Sequence, residues 1–178
     1  DVESRGLGDV YKRQALGDDY INVLEGGYDI VFLCSPNNPT GGELSEQCLL
    51  EIVTRCKRLG ILPVIDMSFA DFSENTVSAN VLAEAGAAVI KAFTKIYAMP
   101  ALRLGYMLCC DEDLLGKVSL AGQSWSVNSL AQAAGAAALD DSDFIGRTVE
   151  YISRERRFLT EKFGAMGIKT YPVSYTHL

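Results

Sequence analysis

The chain has 178 residues, of which 48% are hydrophobic and 22% charged, and its formal net charge is −7. This length fits one compact domain, and the apolar share is enough for a substantial core. The acidic charge disfavours a nucleic-acid partner, and the apolar runs are too short to cross a membrane. Five cysteines without a C-x-x-C motif, and a single histidine, predict no metal site and a cytoplasmic location.

The two ends of the chain are related through their coding DNA. Back-translation of DVYKRQ (9–14), reversal of the strand and a shift of frame give VSYTHL (173–178). Such ends resemble translated transposon-end adapters from sequencing libraries. We therefore expect residues 1–14 and 173–178 to be adapter-derived and residues 15–172 to be an internal fragment of one domain. The lone histidine, His177, then has no part in the chemistry.

The first half of this fragment alternates strand and helix signals. A β-branched run over 29–35 predicts a buried strand, and the PNNPTGG after it predicts a turn. Ser45 is a typical N-cap for a helix over 46–58, which Gly60 ends. Two further buried strands are predicted at 61–65 and 87–93.

The second half predicts a fourth strand, three helices and the start of another strand. The strand covers 105–110, and the acids at 111–113 suit the first turn of the next helix. Further elements are a small-residue helix at 128–139, a charged helix at 142–166 and a strand from 168 to 171. The alternation predicts an α/β fold, a three-layer sandwich around a mostly parallel, mixed sheet with helices on both faces.

Polar side chains follow three of the predicted strands. Asn38 follows the first, Asp66 closes the second and Lys95 follows the third, with Arg103 in the same loop as Lys95. Ligands of α/β sheets bind at such strand ends. Each of these groups is costly to bury alone, and the apolar neighbours of Arg103 predict its partial burial. Pyridoxal phosphate could satisfy all four, because its aldehyde needs an amine, its ring nitrogen an anion and its phosphate a cation.

Three motifs in order make this interpretation specific. They are CSPNNPTGG (34–42), VIDMSFADF (64–72) and FTKIYAMPALRLGY (93–106). Together they resemble fold type I pyridoxal-phosphate enzymes of the aminotransferase family over nearly all of 15–172. The nearest group is the threonine-phosphate decarboxylases of cobalamin biosynthesis, and the histidinol-phosphate aminotransferases come next.

The resemblance implies a role for each polar residue. Lys95 would bond covalently to the cofactor aldehyde, and Asp66 would pair with the ring nitrogen. Asn38 would hydrogen-bond the ring hydroxyl, and Arg103 and Thr94 would hold the phosphate. We expect Lys95 and Asp66 to be the catalytic residues.

Each role has a simpler structural alternative. Lys95 could be a solvated loop lysine, Asp66 a turn cap and Asn38 a turn residue. Thr94 could cap a helix or turn, and Arg103 could form a surface ion pair.

Neighbouring residues complicate the assignment. Lys91 is a competing lysine, and Asn37 is interpreted as turn chemistry. Ala92 replaces a family Ser or Thr that donates to the phosphate, so one contact is absent. Phe69 stands where many aminotransferases have a tyrosine, and Phe resembles the decarboxylases.

WSVN (125–128) also resembles the decarboxylases. Its alternative is a helix N-terminus that Ser126 or Asn128 caps, with a buried Trp125.

The resemblance predicts an enzyme that acts on a phosphorylated amino acid. Decarboxylation of L-threonine O-3-phosphate to aminopropanol phosphate is the first hypothesis, and histidinol-phosphate or a related transamination is the second. A non-enzymatic alternative is a cofactor-binding regulatory domain. The resemblance implies a homodimeric parent, and we expect the fragment alone to be inactive and poorly soluble because its sheet edges are unpaired.

Overall fold

The structure is a computed structural model and describes residues 23–38, 40–73 and 77–170. Its strands are β1 (Ile30–Cys34), β2 (Leu62–Asp66), β3 (Ala88–Ala92) and β4 (Gly105–Leu108). Its α-helices are α1 (Glu46–Leu59), α2 (Ala79–Ala85), α3 (Phe93–Ile96), α4 (Glu112–Ala121), α5 (Ser129–Asp140) and α6 (Phe144–Ala165). Short 3-10 turns lie at Leu24–Gly26, Ala70–Phe72 and Pro100–Leu102. The ends that we expect to be adapter-derived fall outside the described residues.

The four strands form one sheet in the order β1-β2-β3-β4. The first three are parallel, and β4 pairs antiparallel with β3. The prediction of an α/β fold with a mostly parallel, mixed sheet is confirmed. Cys34 pairs in register with Asp66, and Asp66 with Ile90. The carboxyl ends of β1, β2 and β3 therefore meet at one edge of the sheet.

Helix α1 covers one face of the sheet, and its limits follow from local sequence. The hydroxyl of Ser45 accepts from the backbone N–H of Cys48 at 3.2 Å, and Gly60 ends the helix in the left-handed conformation. Gly60 tolerates that conformation because it has no Cβ. The helix packs its apolar face into the main core with residues of β1, β2 and β3, such as Leu49, Ile52, Leu33, Ile65 and Val89.

Helix α2 was not predicted from the sequence. It is only seven residues long, and Ser78 at its N-cap makes no side-chain capping bond. Its sequence signals are Gly86, which ends it with φ +116°, and Leu82 and Ala83, which it buries in the main core. The opposite face of the sheet leaves Ile30 and Phe32 exposed in the described structure.

The three later helices begin largely where the sequence predicts. Asp111 caps α4 by accepting from Leu114, and Asn128 caps α5 by accepting from Ala131. In contrast to α1, neither α4 nor α6 contains a buried residue. None of the helices in the described ranges is long and apolar enough to span a bilayer.

The strand predicted at 168–171 is wrong for its described part. Residues 168–170 form no strand, because none of the four described strands pairs with them. Residue 171 lies outside the described residues.

Candidate active site

The turn after β1 holds its shape through Asn37. The Asn37 side chain donates to the Thr40 hydroxyl at 2.7 Å, and its backbone N–H donates to Gly42 O at 2.8 Å. The interpretation of Asn37 as turn chemistry is therefore confirmed. Asn38, the next residue, is exposed at the carboxyl end of β1. Its side chain is thus accessible to a ligand.

Asp66 is the last residue of β2 and is partly buried. Its Oδ1 accepts from both the backbone N–H (2.9 Å) and the hydroxyl (2.6 Å) of Ser68. One carboxylate oxygen therefore caps the turn, as the structural alternative predicted. No donor within the described ranges engages Oδ2, so the second oxygen can accept from a ligand.

Lys95 lies on α3, directly after β3, and its side chain is exposed. Its Nζ lies 5.5 Å from the centroid of the Phe69 ring, within the range of a cation–π contact. Phe69 is only 9% exposed and packs with Phe72 and Ile96. Among the residues that the structure describes, no carboxylate pairs with Lys95. The Lys95 amine therefore lies over an aromatic ring on one side and remains accessible to solvent.

Arg103 is exposed, so the prediction of its partial burial is wrong. It has φ +56°, in the left-handed region, and its guanidinium donates to Pro100 O at 3.1 Å. The bond to Pro100 O holds the guanidinium at the exposed surface of the loop. The structural alternative also fails within the described chain, because no carboxylate pairs with Arg103.

Lys95 and Arg103 belong to one loop that the sheet closes at both ends. Ala92 of β3 pairs with Gly105 of β4, and the Phe93 N–H donates to Leu104 O at 3.1 Å. A Cβ on Gly105 would lie 2.9 Å from Lys91 O, so a glycine is required for this close approach. Both cations therefore lie near the paired ends of β3 and β4.

Thr94 is the second residue of α3 and is half-buried. The N-cap position of α3 belongs to Ala92, and no side chain caps this helix. The interpretation of Thr94 as a helix cap is therefore wrong.

Lys91, the competing lysine, is paired elsewhere. Its Nζ lies 2.5 Å from Asp71 Oδ1, and both side chains are less than one-fifth exposed. Burial raises the pKa of Tyr97 and of Tyr106 above the ordinary value, and the negative charge of Asp71 adds to both shifts. This pair was not predicted from the sequence, because the two residues are 20 positions apart.

Cys34 also lies at this edge and was not predicted as a site residue. Burial raises the pKa of its thiol, the backbone N–H of Asn38 opposes the rise, and the charge of Asp66 adds to it. These influences place the thiol beside Asn38 and Asp66. The register pair of Cys34 with Asp66 could have been inferred from their equivalent positions at the two strand ends.

The WSVN segment reaches the Lys95–Arg103 loop through one amide. The Asn128 side chain caps α5 and donates from Nδ2 to Leu102 O at 3.3 Å. Trp125 is 98% exposed, so the interpretation of a buried tryptophan is wrong. On α5, Gly135 leaves room for Leu104, whose Cδ2 would lie 2.5 Å from an added Cβ.

The topology thus brings four predicted residues to one edge of the sheet and one close by. Asn38, Asp66, Thr94 and Lys95 follow or end the parallel strands β1, β2 and β3, and Arg103 precedes β4. Asp66 and Thr94 are partly buried there, whereas Asn38, Lys95 and Arg103 are exposed. An accessible amine, a carboxylate oxygen and a guanidinium suit a phosphorylated carbonyl compound.

Comparisons with known proteins identify the family of the chain. The family model "Aminotransferase class I and II" matches residues 11–176. A threonine-phosphate decarboxylase of Salmonella typhimurium is 38% identical over 143 residues, or 79% of this chain and 39% of that protein. A histidinol-phosphate aminotransferase of Clostridium kluyveri is 31% identical over 144 residues, or 80% and 40%.

A solved structure shows the same fold. The histidinol-phosphate aminotransferase of Clostridium acetobutylicum superposes with a TM-score of 0.80 at 22% identity, covering 88% of this chain and 48% of that one. The chain spans about two-fifths of the length of the curated relatives that it matches. From its motifs, its sheet and these matches, the chain belongs to the aminotransferase class I and II family.

Proposed function

We propose that this chain forms the cofactor-binding centre of a pyridoxal-phosphate enzyme that acts on a phosphorylated amino acid. The observation that carries the proposal is the accessible Lys95 amine, which follows β3 while the Asp66 carboxylate ends β2 beside it in the sheet. A surface lysine with no function would not be expected to lie over a buried aromatic ring such as Phe69 and beside a strand that ends in an acid such as Asp66.

The residues present fit pyridoxal phosphate. Lys95 makes no ion pair with any described carboxylate, and Asp66 Oδ2 has no described donor. Within the described chain the guanidinium of Arg103 donates to Pro100 O, and it keeps further donors for a phosphate. When bound, pyridoxal phosphate supplies an aldehyde that bonds to amines and a protonated ring that withdraws electrons from the substrate.

Each residue then has a distinct task. Lys95 would provide the amine that anchors the cofactor and, when free, a base that moves protons. Asp66 would accept a hydrogen bond from the protonated ring nitrogen and hold that proton in place. Asn38 would donate to the ring hydroxyl, while Arg103 and Thr94 would hold the phosphate. The role of Asp66 would be the same for decarboxylation and for transamination.

We further propose that the reaction is decarboxylation of L-threonine O-3-phosphate to aminopropanol phosphate and carbon dioxide. Support comes from the 38% identity with the decarboxylase, from Phe69 and from the WSVN segment. The second candidate is histidinol-phosphate transamination, which the 31% identity with an aminotransferase favours. We also propose that the parent is a cytoplasmic homodimer.

The first experiment compares the parent protein with its Lys95→Ala variant. We expect the parent to develop a visible absorption band with pyridoxal phosphate, and borohydride followed by peptide mapping to find the cofactor on Lys95. The Lys95→Ala variant should lose both signals and at least about 1,000-fold in turnover, because the anchoring amine is absent. A matched control is Lys117→Ala, which removes an exposed lysine of α4 and should change neither signal.

The second experiment identifies the products from L-threonine O-3-phosphate. Release of carbon dioxide with aminopropanol phosphate supports the decarboxylase. Amino transfer from histidinol phosphate to 2-oxoglutarate, without carbon dioxide release, supports the second candidate instead. Cofactor binding without turnover of either substrate would favour a regulatory domain, and attachment of the cofactor to a lysine other than Lys95 would overturn the proposed site.

A further inference from the structure

The ion pair between Asp71 and Lys91 links the two segments that form the Lys95–Phe69 contact. Phe69 lies immediately before the 3-10 turn Ala70–Phe72, and that turn carries Asp71. Lys91 is the fourth residue of β3, and α3 with Lys95 begins directly after this strand. One ion pair, with Lys91 Nζ and Asp71 Oδ1 2.5 Å apart, therefore links the turn that follows Phe69 to the strand that precedes Lys95.

The surroundings of the pair restrict its movement. The exposed fractions of the Lys91 and Asp71 side chains are 13% and 19%. Tyr97 and Tyr106 lie near Asp71, since its charge perturbs both phenols. The ring of Phe93 stacks on Tyr97 at 5.1 Å and meets Tyr106 edge-on at 5.9 Å. The pair is thus largely shielded from solvent and lies beside two tyrosines that Phe93 connects.

Lys95 has no comparable restraint of its own. Its amine contacts the ring of Phe69, and a lysine side chain with four rotatable bonds samples many conformations when it is exposed. The height of the amine over the ring thus depends on how the turn at Ala70–Phe72 is held against β3. Packing of Phe69 and Phe72 with Ile96 contributes, but the Asp71–Lys91 bond is the directional link.

We propose that Asp71 and Lys91 are positioning residues that hold the Phe69 ring beneath the Lys95 amine so that this lysine captures the cofactor. The inference rests on the proposed function, because it assigns Lys95 to pyridoxal phosphate. In this proposal Lys91 acts on Lys95 indirectly, through Asp71 and Phe69. It also explains why two lysines four positions apart differ in reactivity. Lys91 is held by a carboxylate, and Lys95 is left to react.

The test measures the rate of cofactor capture by the cofactor-free parent protein, not its turnover. Growth of the visible absorption band gives the rate, and borohydride with peptide mapping gives the lysine that is modified. The variants are Lys91→Met, Asp71→Asn, the double variant Asp71→Asn/Lys91→Met, and Lys91→Arg. The matched control is Lys117→Met on the exposed surface of α4.

We expect Lys91→Met and Asp71→Asn to slow capture at Lys95 by about tenfold or more, since small displacements of a reacting group have large kinetic costs. Lys91→Arg should retain most of the capture rate, because it keeps a positive charge beside Asp71. Lys117→Met should capture at the parent rate. A purely stabilising pair predicts instead that any folded variant captures normally.

The double variant keeps the proposal falsifiable if the single variants fail to fold. It leaves no unpaired buried charge, so it should fold while lacking the strong link. Capture by the folded double variant at the parent rate would overturn the positioning role and leave the proposed function intact. Absence of capture at Lys95 in the parent itself would overturn both.

A second readout tests the pair without any cofactor. Acetylation of the cofactor-free protein, read by mass spectrometry, should modify Lys117 rapidly and Lys91 slowly, and Asp71→Asn should make Lys91 accessible. Modification of Lys91 in the parent as fast as Lys117 would show that the pair does not persist, which also overturns the proposal.

Discussion

The two halves of the chain differ in how they are packed. From Leu24 to Leu108, buried residues of β1–β3, α1 and α2 form one continuous core. From Glu112 to Ala165, α4 and α6 bury no residue, and α5 buries only Ala131 and Gly135. The candidate site lies where the packed half meets the loop before β4. Its strand-end residues are thus held by a core, whereas α6 adds only partly buried side chains, Ile145, Val149 and Ile152, against Phe69, Phe72 and Ile96.

Exposed apolar side chains are concentrated in the second half. Leu120, Trp125 and Leu130 are 89%, 98% and 73% exposed, and such surfaces are typical of regions that contact other protein. The first half therefore specifies its own fold through a packed core, while the second half depends more on local helix signals. Substitutions in the full-length protein should show this difference.

The largest expected effect is the loss of stability from a cavity in the main core. Leu49→Ala on α1 removes a side chain that is 0% exposed and should lower the free energy of unfolding by about 2–5 kcal/mol. The matched change Leu120→Ala on α4 should cost less than about 0.5 kcal/mol. Thermal unfolding measures the stability of both variants, and hydrogen exchange of α1 and α4 locates the effect. Equal losses of stability would remove the contrast between the halves.

The next effect tests the contact of α5 with the loop. Gly135→Ala places a Cβ 2.5 Å from Leu104 Cδ2 and 3.9 Å from the Phe93 ring, so the Leu104 side chain must shift within a crowded contact, which should cost about 1–2 kcal/mol. Gly116→Ala on α4 meets nothing within 4 Å and should stabilise the helix by up to about 1 kcal/mol. Opposite signs in chemical unfolding would confirm the contact, and two stabilising changes would contradict it.

A smaller effect concerns helix capping, which should be similar in both halves. Asn128→Ala removes the cap of α5 and should cost about 1 kcal/mol, as should Ser45→Ala at α1. Ser78 makes no capping bond, so Ser78→Ala should be nearly neutral. A large loss at Ser78, measured by thermal unfolding, would show that the α2 terminus is held differently.

The smallest effect is the pH dependence of Cys34 alkylation. Because burial raises the pKa of this thiol, a smaller fraction is thiolate at neutral pH than in a free cysteine. We expect iodoacetamide to modify Cys34 more slowly than the exposed Cys110, with the Cys34 rate still rising as the pH increases above about 8.5. A Cys34 rate that levels off below that pH would contradict the raised pKa.

Much of the fold could be predicted because strand ends and caps are local signals. Ser45 and Asn128 cap helices as expected, and the apolar runs locate Asp66 and Lys95 at one edge. The prediction did not extend to contacts between distant residues. The Asp71–Lys91 pair joins two segments that meet only after the sheet has formed.

The exposure of Arg103 and the existence of α2 show two other limits. Apolar neighbours suggest burial for Arg103, but its backbone has φ +56° and its exposed guanidinium donates to Pro100 O. Helix α2 lacks a side-chain cap and is short, so its sequence competes poorly with a loop interpretation. Backbone conformation at a single residue is rarely encoded by its immediate neighbours.

The antiparallel direction of β4 makes the Lys95–Arg103 segment a wide hairpin. Its base is fixed by the Ala92–Gly105 register pair, and both cations lie within three residues of that base. The apex, from Ala98 to Ala101, carries none of the proposed cofactor contacts. The apex can therefore vary independently of the base. A shorter, longer or grafted apex should change which molecules can reach the candidate site, while the spacing between the two cations is preserved.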